Sequence, residues 1–189
     1  MKAFMDYILP FGDLDKDQID LILSKATIRD LRREAYFSEA GKIPQEVGFI
    51  LDGVFRFFYY NAKGEEITNY FIDRNTFVTD YMKFEDKAVA TEYVQAVTDS
   101  KMLIFSRKSW DEIADSIVGW DQIAHKLYKK CLTEAIARRS PLVSENATTR
   151  YLSFLESFPT IAHRVPLSHV ASYLGITQQS LSRIRRNIL

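Results

Sequence analysis

From Glu46 to Phe105 the chain is rich in Phe, Tyr, Val, Ile and Thr and is cut at short intervals by residues that reverse direction. Asp52-Gly53 separates GFIL from VFRFFYY, and Asn61-Ala62-Lys63-Gly64 separates VFRFFYY from EEITNYF. Aspartate, asparagine and glycine at such points reach the backbone angles of tight hairpins, so the stretch predicts antiparallel strands at 47–51, 54–60, 65–72, 92–98 and 101–106. Strands this short carry apolar residues on two faces. A sandwich, barrel or roll is how such a set buries both.

The flanking segments change period. Asp13 to Ala26, DLDKDQIDLILSKA, predicts a short amphipathic helix with aspartates in its first turn. After the strands a long helix is expected over about 107–139. Along it Ile113, Ile117, Trp120, Ala124, Leu127 and Cys131 follow at spacings of 4, 3, 4, 3 and 4, a heptad seam on one face. Such a seam either pairs with a second copy of the chain or packs on its own β-domain; a homodimer joined through it is the reading adopted. Polar Glu134 and Arg138 continue the seam, and pairing should weaken there. Ser140-Pro141 then stops the helix, because proline lacks an amide and disfavours helical geometry before it. The expected division is a sensor unit over 1–139, a hinge, and a second unit over 140–189.

In that second unit Asn146 to Phe158 predicts a helix capped by Asn146 and closed by Pro159. Pro166 suits the first turn of the next helix, with Val170, Ala171 and Leu174 inward. Gly175 stands where a turn needs positive φ, Ile176 plugs back, and Thr177 can cap a last helix from Gln178 to about Asn187. Helix, glycine turn and helix make a helix-turn-helix. On the last helix Gln178 and Gln179 suit adenine edges in a major groove, and Arg183 suits a guanine or a phosphate. Thr177, Ser180, Arg185 and Arg186 suit phosphates. A helical hairpin that contacts a protein partner, on a ligand-binding or scaffold module, is the alternative.

Charge favours the first reading. The chain has 25 basic and 25 acidic side chains, yet residues 138–189 hold seven arginines, no lysine and two glutamates, a net +5, which leaves −5 on the remainder. A basic unit on an acidic one is expected to meet a polyanion through the basic part alone.

Other chemistries lack their residues. One cysteine, Cys131, cannot supply an iron-sulfur set or an internal disulfide. The three histidines, 125, 163 and 169, all follow the strands, which removes the usual metal set of a β-roll enzyme; His125 and His169 are expected at the surface. No phosphate loop, nucleophile elbow or paired-cysteine motif occurs, so no enzyme activity is expected. Ala3 to Phe11 is apolar but broken by Asp6 and followed by no cleavage site, so neither a signal peptide nor a membrane contact is expected, and the cytoplasm is the expected location.

The segments VASYLGITQQSLSRIR, Val170 to Arg185, and GFILDGVFRFFYYNAKGEEITNYF, Gly48 to Phe71, resemble the Crp/Fnr transcription regulators. The resemblance spans nearly the whole chain. It implies an α+β fold: an antiparallel β-roll of cyclic-nucleotide-binding type, a long dimerisation helix and a C-terminal winged helix-turn-helix. It further implies a homodimer reading a near-palindromic site in double-stranded DNA, base-reading positions at Gln178, Gln179 and Arg183, an unidentified small-molecule effector and, for an activator, a contact with RNA polymerase. In cyclic-AMP-binding members a glutamate holds the ribose and an arginine pairs with the phosphate. Here the matching text is Phe77-Val78-Thr79-Asp80-Tyr81 and Ala90-Thr91-Glu92. Asp80 stands near the ribose position, Ala90 replaces the arginine and Glu92 adds a negative charge, so cyclic AMP is not expected and no cofactor is assigned. Phe71, Asp80, Tyr81, Thr91 and Tyr93 are the expected effector-pocket residues.

Overall fold

Among the described residues eight strands form, all paired antiparallel: β1 (Thr27–Leu31), β2 (Tyr36–Ser38), β3 (Glu46–Asp52), β4 (Val54–Tyr60), β5 (Glu66–Asp73), β6 (Phe77–Val78), β7 (Tyr93–Ala96) and β8 (Ser100–Ser106). The five expected strands are β3, β4, β5, β7 and β8, with ends moved by at most two residues. They belong to a computed structural model that describes residues 2–138 and 145–188. The expected hinge at Ser140-Pro141, and the boundary between 139 and 140, lie outside the described residues.

The strands form two sheets, in the orders β1-β8-β3-β6 and β2-β7-β4-β5. Gly53 makes the β3–β4 reversal at φ +122°, and a Cβ there would run into Ser100. The β4–β5 hairpin closes on Asn61, whose Oδ1 accepts from the amides of Lys63 and Glu65 at 2.9 and 3.0 Å. Between the sheets Ile50, Phe55, Phe57, Ile72, Val94, Met102 and Ile104 form one core. Phe57 stacks on its cross-strand partner Tyr70 with centroids 4.5 Å apart.

Each sheet also buries its outer face, which is why β4 reads VFRFF with five consecutive buried residues. Against the first sheet pack α1 (Lys2–Ile8), α2 (Lys16–Lys25), α4 (Arg107–Ser116) and α5 (Trp120–Ala137); α3 (Tyr81–Glu85) follows β6. Helix α2 starts at a reciprocal cap: Asp15 accepts from the Gln18 amide at 2.8 Å, and the Gln18 side chain accepts from the Asp15 amide at 3.0 Å.

Two expectations about the long helix are corrected here. The segment over 107–139 is two helices, α4 and α5, separated at Ile117–Gly119, where Gly119 takes φ +83° and Val118 is almost fully exposed. The seam does not form a surface for a second copy. Ile113, Ile117, Trp120, Ala124 and Leu127 are all at most 6% exposed, packed with Phe4, Ile8 and Phe105 of the same chain. Cys131 is half-buried, its sulfur 3.8 Å from the Tyr7 hydroxyl. Heptad spacing records that a helix face is covered, not what covers it. The exposed apolar residues of α5 are Leu132 and Ile136, on another face.

The outer face of the second sheet is covered by the remaining helices, α6 (Ala147–Ser157), α7 (Leu167–Tyr173) and α8 (Gln178–Ile188). Val54, Phe71 and Val97 of the roll share a core with Tyr151, Phe154, Phe158, Ile161, Tyr173, Leu174 and Leu181. Asn146 caps α6 as expected, accepting from the Thr149 amide at 2.9 Å. Every regular element among the described residues 145–188 is a helix; the wing strands implied by the resemblance are not among them.

Candidate nucleic-acid interface and effector cleft

Helices α7 and α8 are joined as the sequence predicts. Gly175 adopts φ +64°, and the Ile176 amide returns to the Ala171 carbonyl at 3.0 Å, which closes the end of α7. Thr177 caps α8: its Oγ1 accepts from the Ser180 amide at 3.1 Å and lies 3.0 Å from the Ser180 hydroxyl. Both hydroxyls therefore have a local structural partner. Leu181 is fully buried and Ile184 partly so, which fixes the rotation of the helix. That rotation leaves Gln178, Gln179, Arg183 and Arg186 exposed and Arg185 half-buried. Gln179, Arg183 and Arg186 follow at i, i+4 and i+7, one stripe along the helix, and α8 carries no acidic residue.

The joint between α7 and the roll is polar on one side and apolar on the other. The Ser172 hydroxyl donates to the Glu66 carbonyl at 2.7 Å and accepts from the Thr68 amide at 3.0 Å. Beside it Arg56, with its side chain only 3% exposed, pairs with Glu66 at 2.5 Å, donates through Nε to Gln95 at 2.9 Å and lies 4.0 Å over the Phe58 ring. His169 was expected at the surface; α7 instead turns it toward the roll, where burial first and the Arg56 guanidinium second depress its pKa to about 4, against a smaller raising effect of Glu66.

An imidazole neutral in the folded protein and near 6.5 in the unfolded chain gives stability that is complete above pH 6.5 and is lost as pH falls toward 4. We expect acidification across that window to cost on the order of 2–3 kcal/mol, at about 1.4 kcal/mol per unit. His169→Gln should remove this part of the acid sensitivity, as read from urea midpoints between pH 7 and 4.5.

A cleft of about 200 Å³ lies between the roll and α5. Asp80 and Tyr81 line it, as expected. The other three expected pocket residues lie elsewhere. Phe71 points away from the roll interior into the joint with α6 and α7, because neighbouring residues of β5 face opposite sides. Tyr93 packs on Tyr36, Phe58 and Tyr60, and Thr91 is exposed. Missing from the sequence reading were Phe57, Tyr70, Tyr128 and Arg138. Tyr128 adjoins the seam residue Leu127, and its stack on Tyr81 at 4.5 Å is a long-range pairing with no local signal. Arg138 is paired with Glu134 at 3.4 Å. Ala90 is buried, and its amide and carbonyl bond to Lys42 and Gly41 at 2.9 Å each. Burial pushes the Asp80 carboxyl above the usual carboxylate range and the Cys131 thiol above its own, so Cys131 is not an activated thiolate. Among the described residues no group of three or more potential ligands could hold a metal, and no helix is long and apolar enough to cross a membrane.

Residues 28–116 match the family model of the cyclic nucleotide-binding domain. No curated protein matches the chain in sequence. Among solved structures, FixK2 from Bradyrhizobium japonicum is 18% identical, over 86% of this chain and 84% of that one, with a TM-score of 0.71. The c-di-GMP-responsive global regulator CLP of Xanthomonas campestris is 13% identical, over 92% and 91%, at 0.72. A putative regulator of the Crp/Fnr family from Eubacterium rectale is 15% identical, over 96% and 87%, also at 0.72. Residues 28–116 thus match a domain of cyclic nucleotide-binding type, and the chain shares the fold of these solved structures, a putative Crp/Fnr regulator among them.

Proposed function

We propose that the protein is a DNA-binding transcription regulator of Crp/Fnr type, acting as a homodimer on a near-palindromic operator, with no catalytic role. The observation that carries this reading is the exposed stripe on α8: Gln178 and Gln179 at its first turn, then Arg183 and Arg186, with no carboxylate on the helix. A helix so placed can enter a major groove N-terminus first, with glutamines at base edges and arginines at guanine or phosphate. Thr177 and Ser180 serve the cap first, and reach phosphate only through their remaining bonding capacity. Arg185 and Arg186 contact the backbone.

With the seam buried, the dimer forms through the other face of α5, around Leu132 and Ile136. It sets two α8 helices about 34 Å apart, one turn of duplex. The division of labour follows the expected boundary: a sensor unit up to 139, and a reading unit from 140. An effector in the cleft beside α5 acts by changing the population of the DNA-competent arrangement. Cyclic AMP does not fit that role, because Ala90 offers no cation to its phosphate.

Selection of bound duplexes from a random pool, with and without cyclic AMP, tests the proposal. A two-fold-symmetric motif enriched equally in both arms supports it. Binding that does not weaken as salt rises refutes it, since duplex binding releases counterions. Enrichment only with cyclic AMP refutes the reading of Ala90. On the selected operator Arg183→Ala should weaken binding by about 1–3 kcal/mol, with little change on unrelated duplex, as measured by fluorescence anisotropy.

A further inference from the structure

We propose that the cleft between the roll and α5 takes a small organic cation of the quaternary-ammonium or alkylamine kind, held by aromatic faces and neutralised by Asp80. This deepens the regulator reading, on which it rests, by naming the chemical class of the effector.

The walls carry the argument. Two stacked aromatic pairs flank the space, Tyr81 with Tyr128 and Phe57 with Tyr70, each with centroids 4.5 Å apart. Aromatic faces carry negative charge density, and several of them around one point attract a cation without requiring it to find a donor or acceptor. Asp80 and Glu92 are the carboxylates of the lining. Glu92 accepts from the Asn69 amide. Asp80 accepts from the Lys83 amide at 3.3 Å and has no ion pair among the described residues. Lys83, whose charge acts on Asp80, does not itself line the cleft.

Among the described residues the cation of the lining is Arg138, already engaged by Glu134 at 3.4 Å. Among the described residues a cyclic phosphate placed here meets two carboxylates and one occupied guanidinium. A cation meets the reverse. The volume of about 200 Å³ is below the range of about 300–1,000 Å³ typical of drug-sized ligands, which favours a compact occupant. Half-burial has already taken the Asp80 carboxyl partly out of water, so a bound cation restores favourable surroundings to it.

Calorimetric titration of the full chain with choline, with cyclic AMP, and with sodium chloride at matched ionic strength tests the proposal. Choline should bind saturably, with quenching or shift of tyrosine fluorescence, and sodium chloride should give no saturable signal. Asp80→Asn should weaken choline about tenfold or more while leaving the α3 cap intact, since asparagine caps a helix as well as aspartate does. Tyr81→Phe keeps a π face and should retain binding; Tyr81→Leu should lose it. Absence of choline binding overturns the proposal, as does cyclic AMP binding more tightly than choline, or Asp80→Asn binding choline as the unaltered chain does. The salt-dependent duplex assay is run on the same preparation. Duplex binding without choline binding defeats this inference alone, and choline binding without duplex binding defeats the regulator reading alone.

Discussion

Trp120→Ala should lower the unfolding free energy by about 3–5 kcal/mol without altering the state of association. Trp120 is 2% exposed and lies edge-on to Trp110 with centroids 5.5 Å apart, inside a core built of Phe4, Phe105, Ile113 and Ile117. Truncation leaves a cavity that these rings cannot close, because α1 and the first sheet hold them from both sides. One opposing contribution exists: the indole Nε1 is buried with no hydrogen-bond partner among the described residues, and its removal relieves a cost of about 1–3 kcal/mol. The loss should therefore fall in the lower half of the range. Urea unfolding at two protein concentrations is the measurement. A loss independent of concentration identifies the heptad seam as intrachain core. A Trp120→Ala protein of unchanged stability that sediments as a monomer would restore the seam as an interface. Leu132→Asp combined with Ile136→Asp supplies the complement. These side chains are 45% and 60% exposed, so this pair should leave the fold of the single chain nearly unchanged and abolish the proposed dimer.

A comparable loss, about 3–5 kcal/mol, is expected for Phe71→Ala, with a different signature. Phe71 is the roll's principal ring in the joint, with centroids 5.6 Å from Tyr173, 6.1 Å from Phe154 and 6.5 Å from Phe158. Those three rings belong to α6, α7 and the turn after α6, so Phe71 links the stability of the helical unit to that of the roll. Its loss should separate one cooperative unfolding transition into two, the helical unit melting first. Hydrogen exchange read residue by residue checks this: amides of α6 to α8 should lose protection ahead of β3 and β8. Uniform loss of protection across the chain would mean that the joint contributes little coupling.

What was legible in the sequence were features with local causes. The hairpins at Gly53 and at Asn61–Gly64, the caps at Asn146 and Thr177, and the turn at Gly175 each depend on a residue type at one fixed position, and each stands where the sequence put it. Illegible were features decided by what lies across space. The break at Ile117–Gly119 leaves the 4-3 spacing of the seam undisturbed, so periodicity alone runs through it, and Gly119 is its one local sign. β4 is buried on both faces, so alternation does not say which aromatic faces the roll interior; Phe71 on β5, expected in the pocket from the resemblance, faces the joint instead. His169 carries no local sign of burial; the roll that covers it is over a hundred residues away in the chain. In the cleft, Asp80 and Tyr81 were found through the resemblance, whereas Tyr128 and Arg138 enter it from a helix whose rotation is set by the seam.

The Ser172 hydroxyl, which bonds one amide and one carbonyl of β5, occupies the open side of the last strand in its sheet. An open strand edge is a template on which another chain can add a strand, and proteins usually cover such edges. Here the cover is borne by the helical unit for which DNA binding is proposed. Any rearrangement that draws α7 off the roll therefore uncovers a row of backbone groups competent for aggregation. Conditions that draw α7 off the roll should therefore also bring on self-association through added strands.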